Sequence, residues 1–335
     1  MATGSQSVVR DLDASMEDAE LSLRPLSLVE YIGQSQAKAS LKIYIDAARS
    51  REESMDHVLL YGPPGLGKTT LAHVIANELG ASIRTTSGPA LARPGDLASI
   101  LSGLNAGDIL FIDEIHRLPK PVEEVLYSAM EDYTLSVVVG RDEQARTVEV
   151  ALPPFTLIGA TTQAGSLSQP LRDRFGITVT MKFYTLDELV QIVMRTARVF
   201  AYPIEAQAAL DIATRARGTP RIANRIYRRV RDYACVMGRS SIDESVTLGA
   251  LDVLGIDSLG LDESDRRILK VMIERFNGRP VGVNAIAAAV GEEPENIVDI
   301  YEPYLIRAGL IDRTPRGRVC TDLAYSHLGY RRQAK

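Results

Sequence analysis

Apolar residues in the first half of the chain form short continuous runs separated by segments with helical spacing. Three such runs cover residues 58–61, 109–112 and 155–160, and helical spacing follows the first run at 71–79. Continuous apolar runs of this length indicate strands buried on both faces, and helices between strands favour parallel pairing. The pattern predicts an α/β fold built on a parallel sheet.

Beyond Tyr184 the apolar spacing is helical throughout, which predicts a small helical domain. A third unit begins near Asp262. Its three helical segments and a final pair of short strands cover residues 268–276, 285–290, 297–306 and 310–319. Three helices followed by a hairpin around a Pro/Gly turn form the winged-helix plan.

A strand-like alternation precedes the third apolar run. Apolar residues alternate over 135–139, and Val148 and Val150 continue the alternation after a charged turn at 140–142. This spacing predicts a β-hairpin inserted over about 134–152. Two interpretations stay open: the hairpin packs its apolar face on its own domain, or it protrudes and binds a partner protein.

A glycine-rich loop after the first strand matches the phosphate-binding pattern G-x-x-x-x-G-K-[ST] in every fixed position. Three glycines let the backbone curl and direct its N–H groups at phosphates; these are Gly62, Gly65 and Gly67. Lys68 supplies positive charge to the β- and γ-phosphates, and the Thr69 hydroxyl can ligate Mg²⁺. The stretch up to Thr70 therefore predicts a nucleotide site.

An acidic pair, Asp113 and Glu114, follows the second apolar run. The carboxyl ends of parallel strands are where such sheets present catalytic groups. Asp113 would complete the Mg²⁺ shell, and Glu114 would orient or deprotonate the attacking water. A surface Asp-Glu turn is the alternative, which the preceding phosphate loop disfavours.

Polar residues at the ends of later segments could sense or stabilise phosphate. Thr162 ends the third apolar strand, and Arg172 and Arg174 end a short helix. A guanidinium there could stabilise a transferring phosphoryl group, including one bound to a neighbouring subunit. Arg221, in the first turn of a later helix, could also reach the nucleotide. From the residues alone, surface ion pairs are the commoner role of such arginines.

The formal net charge is −5, so long-range attraction to a polyanion is not a property of the whole molecule. The third helix of the winged-helix unit is acidic, whereas its hairpin, the wing, contains Arg313, Arg316 and Arg318. We expect these arginines to contact DNA phosphates without reading bases. The alternative is that they only solubilise the turn.

Composition excludes several classes of protein. No apolar run approaches the length of a bilayer span, and the two cysteines, Cys235 and Cys320, lack metal-ligand spacing. The first 20 residues are polar and acidic, which predicts a disordered tail rather than a signal peptide. We therefore expect a cytoplasmic protein that does not bind membranes.

Six segments together resemble the AAA+ ATPases and, among them, the RuvB family of Holliday junction branch-migration motors. The segments are 62–70, 110–117, 159–162, 170–176, 218–225 and 313–318. Many ATPases share the first two, whereas the last four are more restrictive. The resemblance extends from Leu23 almost to the C-terminus.

This resemblance implies an ATPase domain over 21–184, a helical lid over 185–256 and a winged-helix head over 257–335, after the tail 1–20. It implies a homohexameric ring around double-stranded DNA that uses ATP and Mg²⁺. The ring would move Holliday junctions together with RuvA, with the RuvC resolvase in the same complex, during recombination and DNA repair.

The resemblance also implies roles for residues around the nucleotide. Leu23, Arg24 and Tyr184 would line its adenine side. Thr162 would be the first sensor of the γ-phosphate, and Arg221 the second.

A further set would act near or across the subunit boundary. Arg174 would be the finger inserted into the next subunit's site, with Arg172 as the alternative. A family segment that approaches the nucleotide is matched by Glu131, Asp132 and Tyr133. The hairpin residues Val148 and Val150 would bind RuvA.

Gln163 departs from the family, in which arginine is usual at this position, so the role of its side chain stays open.

Two other ATPase functions are alternatives to the motor. A protein unfoldase would need an aromatic pore loop, yet no aromatic residue lies between Tyr61 and Phe111. A nucleotide-gated DNA loader or initiator would use the same ATP site without translocation.

Overall fold

A computed structural model of the protein describes residues 24–139 and 146–331 and divides them into two compact units. Unit 1 extends to Phe200 and includes Gly218–Ile222, whereas unit 2 comprises Ala201–Arg217 and the chain from Ala223. The expected tail 1–20, Leu23 and the turn 140–142 lie outside the described residues.

Unit 1 contains the predicted parallel sheet. The strands are β1 (Val58–Tyr61), β2 (Ile83–Ser87), β3 (Ile109–Asp113), β4 (Thr134–Val139), β5 (Arg146–Ala151), β6 (Thr156–Thr161) and β7 (Ile177–Thr180). Five of them form the sheet in the order β2-β3-β6-β1-β7, and every pairing in it is parallel. Tyr61 lies opposite Thr161, and Ile112 lies opposite Gly159. The carboxyl ends of β1, β3 and β6 therefore meet at one edge, where sheets of this class bind ligands.

Unit 1 also contains several α-helices. They are α1 (Ser35–Arg51), α2 (Lys68–Leu79), α3 (Pro94–Leu101), α4 (Lys120–Glu131), α5 (Gln169–Asp173) and α6 (Leu186–Val199). Strand residues Leu59, Leu110 and Ile112 form one apolar cluster with Leu126 of α4. This packing explains why β1 and β3 are apolar at every central position.

The β4–β5 pair is the expected hairpin, with Leu135 opposite Val150 and Val137 opposite Val148. Leu135 is buried in the core, whereas Val148 and Val150 are 44% and 41% exposed. Part of the apolar surface of the hairpin is therefore accessible to a partner.

Unit 2 contains lid helices and the predicted winged helix. The elements are α7 (Ala206–Arg215), α8 (Pro220–Val236), α9 (Glu244–Val253), α10 (Glu263–Glu274), α11 (Val283–Val290), α12 (Pro294–Asn296), α13 (Glu302–Arg307), β8 (Ile311–Thr314), β9 (Gly317–Cys320) and α14 (Asp322–His327). The first three residues of α8 belong to unit 1. In the part of the chain that the structure describes, no helix has the length and apolarity needed to cross a bilayer.

The third helix of the head differs from the expected single segment 297–306. A π-helical turn, Ile297–Tyr301, separates α12 from α13. Pro303 lies in the first turn of α13, and its ring nitrogen has no hydrogen to donate to the preceding turn. The regular helix therefore restarts at Glu302.

Candidate functional site

The glycine-rich loop joins β1 to α2 in the left-handed conformations that its sequence predicts. Gly65 and Gly67 have φ values of 77° and 94°. A Cβ at Gly67 would lie 2.9 Å from the Tyr31 hydroxyl, and one at Gly65 would lie 3.2 Å from Cβ of Arg221. Close neighbours as well as backbone conformation therefore require glycine at these positions.

Lys68 begins α2 and is only 8% exposed. Its Nζ donates to the carbonyls of Gly62 (2.7 Å) and Pro63 (2.9 Å). Burial lowers the pKa of Lys68, and the carboxylates of Asp113 and Glu114 oppose that shift. The ammonium is thus held at the inner side of the loop, where phosphate oxygens would accept its hydrogens.

Thr69 and Asp113 bring two oxygen ligands together from different elements. Thr69 Oγ1 donates to Asp113 Oδ2 at 3.4 Å, and the Glu114 N–H donates to Asp113 Oδ1 at 2.9 Å. A hydroxyl and a carboxylate beside a phosphate loop fit Mg²⁺, which binds few protein oxygens and completes its shell with water and phosphates.

Glu114 has a left-handed backbone, with φ 48°, and begins a short 3₁₀ turn. Its carboxylate accepts from Arg117 Nη1 at 3.0 Å, and the side chains are 46% and 58% exposed. Glu114 therefore lies at the carboxyl edge of the sheet with solvent access, as a group that acts on water requires.

The end of β6 places a buried hydroxyl beside the acidic turn. Thr161 is 1% exposed, lies 3.0 Å from His116 Nδ1 through Oγ1, and accepts the Gln163 N–H at 2.9 Å. Thr162 follows as the first residue past the strand. The Gln163 side chain accepts from Ser166 Oγ at 3.0 Å and so closes a local turn.

Two tyrosines hold the far side of the loop. The hydroxyls of Tyr31 and Tyr184 lie 3.1 Å apart, and both lie within 3.4 Å of the Leu66 carbonyl. Burial raises the pKa of both phenols, so they stay neutral. Burial lowers the pKa of His73 in α2, and the positive charge of Arg24 lowers it further.

Arg221 lies beside the same loop. Its backbone N–H donates to the Gly65 carbonyl at 3.3 Å, and the Tyr184 N–H donates to the Gly218 carbonyl at 3.0 Å. These contacts place the predicted second sensor next to the phosphate loop, with an exposed side chain.

Arg174 belongs to a second cluster at the ends of α4 and α5. Its guanidinium donates to Glu131 (2.6 Å) and to the Pro170 carbonyl (2.9 Å), and it stacks on Tyr127 at 4.8 Å from the ring centre. The side chain is 27% exposed. Arg172 donates to the Leu167 carbonyl at 3.4 Å.

The neighbours of Glu131 point in different directions. Asp132 is exposed after the end of α4, whereas the Tyr133 ring packs edge-on against Phe155 at 5.8 Å. Of the three residues in this predicted segment, Glu131 is the one that joins Arg174.

The wing presents its arginines unequally. Arg313 and Arg318 lie opposite each other, but Arg318 is 11% exposed and donates twice to Glu302, at 3.1 and 2.8 Å. Arg313 is 66% exposed, and Arg316 is exposed at the turn. A cleft of about 430 Å³ lies between the wing and residues 282–284.

Three residues near the site are not identified by any sequence pattern: Tyr31, His116 and Thr161. Tyr31 lies in a lead-in loop without periodicity, and the pairing of His116 with Thr161 joins residues 45 positions apart. The contact of Tyr31 with the Leu66 carbonyl and the contact of His116 with Thr161 both leave no local signal in the sequence.

Three family models match consecutive parts of the chain. Residues 23–181 match the Holliday junction DNA helicase RuvB P-loop domain, residues 184–257 the RuvB AAA lid domain, and residues 258–329 the RuvB C-terminal winged helix domain.

Solved structures of RuvB from Thermotoga maritima are similar over nearly the whole chain. The structure of its Holliday junction branch migration motor shows 52% identity and a TM-score of 0.84, and the match covers 92% of this chain and 99% of that one. Two single-residue mutants of that protein also show 52% identity, with TM-scores of 0.84 and 0.82; they match 92% of this chain and 99% and 98% of their own.

These matches confirm the predicted P-loop, lid and winged-helix architecture and favour the motor over the unfoldase and the loader. A P-loop ATPase binds nucleotide, which agrees with the geometry around Lys68. The chain belongs to the RuvB family of Holliday junction branch migration ATPases.

Proposed function

We propose that six copies of this chain form a ring around duplex DNA in which each ATP site is shared by two subunits. One subunit contributes the phosphate loop and the acidic pair, and the next contributes Arg174. The supporting observation is that the described partners of Arg174 lie in and around α4 and α5, whereas Lys68 bonds to the phosphate loop.

Within one subunit, each residue of the loop edge has a separate task. Lys68 binds the β- and γ-phosphates, and Thr69 with Asp113 would hold Mg²⁺, which neutralises charge on the phosphate oxygens. Glu114 orients and deprotonates the attacking water. Its hydrogen bond to Arg117 fixes the carboxylate until that water is in place.

Two further residues report the state of the γ-phosphate. Thr162 lies just past the buried Thr161, whose hydroxyl ties β6 to His116 near the acidic turn. Arg221 approaches from the other side, through the segment that contacts Gly65. Hydrolysis would change the partners of both, which shifts the population of subunit arrangements.

Arg174 would stabilise the transferring phosphoryl group of the neighbouring subunit. Its fork is already held by Glu131 and by the Tyr127 ring, so it needs little reorganisation to meet phosphate oxygens. Exchange of one carboxylate for a phosphate keeps the guanidinium paired in both states. Arg172 remains the alternative finger.

The nucleotide and DNA would bind to different surfaces. Leu23, Arg24 and Tyr184 would line the adenine side, with Glu131, Asp132 and Tyr133 near the nucleotide of the shared site. Of the wing arginines, the exposed Arg313 and Arg316 would engage DNA phosphates, and Arg318 would support the wing through its two hydrogen bonds to Glu302.

The exposed Val148 and Val150 of the hairpin would bind RuvA, because accessible apolar side chains on a paired hairpin favour a protein partner. RuvC would join the same complex at the junction.

Mixed rings test the shared site. Arg174→Ala subunits and Glu114→Gln subunits are each expected to be nearly inactive alone. At equal ratio, random mixing places an intact Glu114 beside an intact Arg174 at about one interface in four, so roughly a quarter of wild-type turnover should return.

The matched control mixes Arg174→Ala subunits with the double variant Arg174→Ala/Glu114→Gln, which cannot rebuild any interface. ATP turnover is measured across ratios, and mass spectrometry of labelled subunits verifies the mixing. Equal turnover in both mixtures would show that Arg174 does not act across the boundary.

A further inference from the structure

Arg217 is the last residue of unit 2 before the chain enters the segment Gly218–Ile222 of unit 1. Its backbone is left-handed, with φ 52°, and its side chain is 13% exposed. Four residues later, the Arg221 N–H donates to the Gly65 carbonyl of the phosphate loop. One short stretch of chain therefore has the phosphate loop at one end and Arg217 at the other.

The guanidinium of Arg217 is held on several sides by residues of the winged-helix head and its linker. Nε donates to the Gly260 carbonyl at 2.8 Å, and Nη2 donates to the Asp265 carboxylate. The Tyr304 ring stacks against the guanidinium, with its centre 4.7 Å from Cζ. Arg307 donates to the Arg217 carbonyl, so the backbone is fixed as well.

Asp265 has the properties of a dedicated partner for this guanidinium. Its side chain is fully buried in the first turn of α10, and the oxygen that binds Arg217 also accepts the Asp262 N–H at 3.0 Å. Within the described residues, its other oxygen, Oδ1, has no hydrogen-bond partner. A buried carboxylate is unfavourable without a counter-charge, so the Asp265 carboxylate favours the position in which the Arg217 guanidinium lies beside it.

The contacts use the shape of the guanidinium and not only its charge. Nε and Nη2 point to different acceptors, and the planar group stacks on an aromatic ring. An ammonium on a flexible stem could replace one of these interactions but not all three.

We propose that Arg217 is a positioning residue that ties the phosphate-loop segment 218–222 to the winged-helix head and so couples ATP turnover to DNA engagement. The inference rests on the ring motor proposed above. When Arg221 moves with the phosphate loop, Arg217 moves too, because it lies only four positions earlier in the same chain segment. The head follows because the guanidinium is hydrogen-bonded to Gly260 and Asp265 and stacked on Tyr304.

The double variant Arg217→Ala/Asp265→Asn tests the tie, because it breaks the link without leaving a buried charge unpaired. The matched control is Arg229→Ala/Asp232→Asn, which removes an ion pair of 3.2 Å on α8 whose side chains are 59% and 47% exposed. ATP turnover is measured without DNA and with duplex DNA, and DNA affinity is measured by fluorescence anisotropy.

In the tie variant, turnover without DNA and DNA affinity should stay within about twofold of wild type, as for changes outside both sites. Stimulation of turnover by DNA should fall by about fivefold or more, the lower end of coupling between distinct sites. The control should keep full stimulation. Arg217→Lys restores the charge beside Asp265 but not the fork, and its stimulation should stay low.

Undiminished stimulation of ATP turnover by DNA in the double variant would overturn the proposal that Arg217 links segment 218–222 to the head. Full stimulation with Arg217→Lys would overturn it as well. Loss of DNA affinity would overturn it too, since Arg217 would then be a stability residue of the head. Loss of turnover without DNA would have the same consequence, because Arg217 would then act on the ATP site. A wild-type protein that DNA does not stimulate would instead overturn the ring motor itself.

Discussion

His57 is a buried imidazole with a backbone partner at each ring nitrogen. The Leu157 N–H donates to Nδ1 at 2.9 Å, so Nε2 carries the hydrogen and donates to the Met130 carbonyl at 3.0 Å. This neutral tautomer joins β6 to the end of α4, next to Glu131. Burial lowers the pKa of His57, because the charged imidazolium would be poorly solvated there.

The free energy of unfolding below neutral pH should depend on the protonation state of His57. The unfolded chain binds a proton at His57 near pH 6.5, whereas the folded chain resists it to lower pH, so acidification favours unfolding. Between pH 7.5 and 5.5 the free energy of unfolding should fall more steeply in wild type than in His57→Gln, by up to about 1.4 kcal/mol per pH unit. Urea unfolding of both proteins at each pH measures the two slopes, and equal slopes would contradict a neutral His57.

Residues of the site differ in how far the sequence could predict them. Gly62 to Thr69 were recognisable because a phosphate loop needs its residue types at fixed spacing in one continuous segment. His116 and Tyr31 were not, because their roles come from contacts with Thr161 and Leu66 that the fold alone creates. Arg318 was recognised as basic, but its burial against Glu302 depends on the packing of the head.

Strands of the sheet show the same limit at the scale of elements. The three central strands β1, β3 and β6 were predicted, because burial on both faces makes them apolar throughout. The edge strands β2 and β7 were not: β2 reads Ile-Arg-Thr-Thr-Ser with two exposed residues, and β7 alternates buried with exposed residues. Polar edges protect a sheet from aggregation, and they also weaken the sequence signal.

The wing combines an anchored arginine with accessible ones, so its variants should separate into two kinds. Arg316→Ala removes an exposed charge and should lower the salt slope of DNA binding by about one, with head stability unchanged. Arg318→Ala leaves the carboxylate of Glu302, 4% exposed, without its main partner and should destabilise the head by about 3 to 5 kcal/mol.

Fluorescence anisotropy at several salt concentrations gives the DNA slopes, and urea unfolding gives the stabilities. Lys270→Ala, on an exposed position of α10 outside the wing, is the matched control. An Arg318 variant of wild-type stability would show that the pair with Glu302 does not hold the wing.

At the scale of the whole molecule, activity should depend on assembly. The net charge of −5 gives no general attraction to DNA, so we expect affinity to come from several wings of the proposed ring acting on one duplex. The same ring would also complete each ATP site with a neighbouring Arg174.

Turnover per subunit should therefore rise with protein concentration and reach a plateau as rings form. Parallel measurements of ATP turnover and of sedimentation velocity over the same range test this dependence. Turnover that is constant per subunit from monomer to ring would contradict a shared site.

The paired hydroxyls of Tyr31 and Tyr184 have a consequence for the thermodynamics of nucleotide binding. They fix the Leu66 carbonyl, and Tyr31 also lies 3.4 Å from the Gly67 carbonyl, so the loop is preorganised by its own domain. Binding then carries a small penalty in conformational entropy, because few backbone torsions are left to restrict. In the proposed ring, more of the intrinsic affinity for nucleotide would thereby be available to bias the geometry of the subunits.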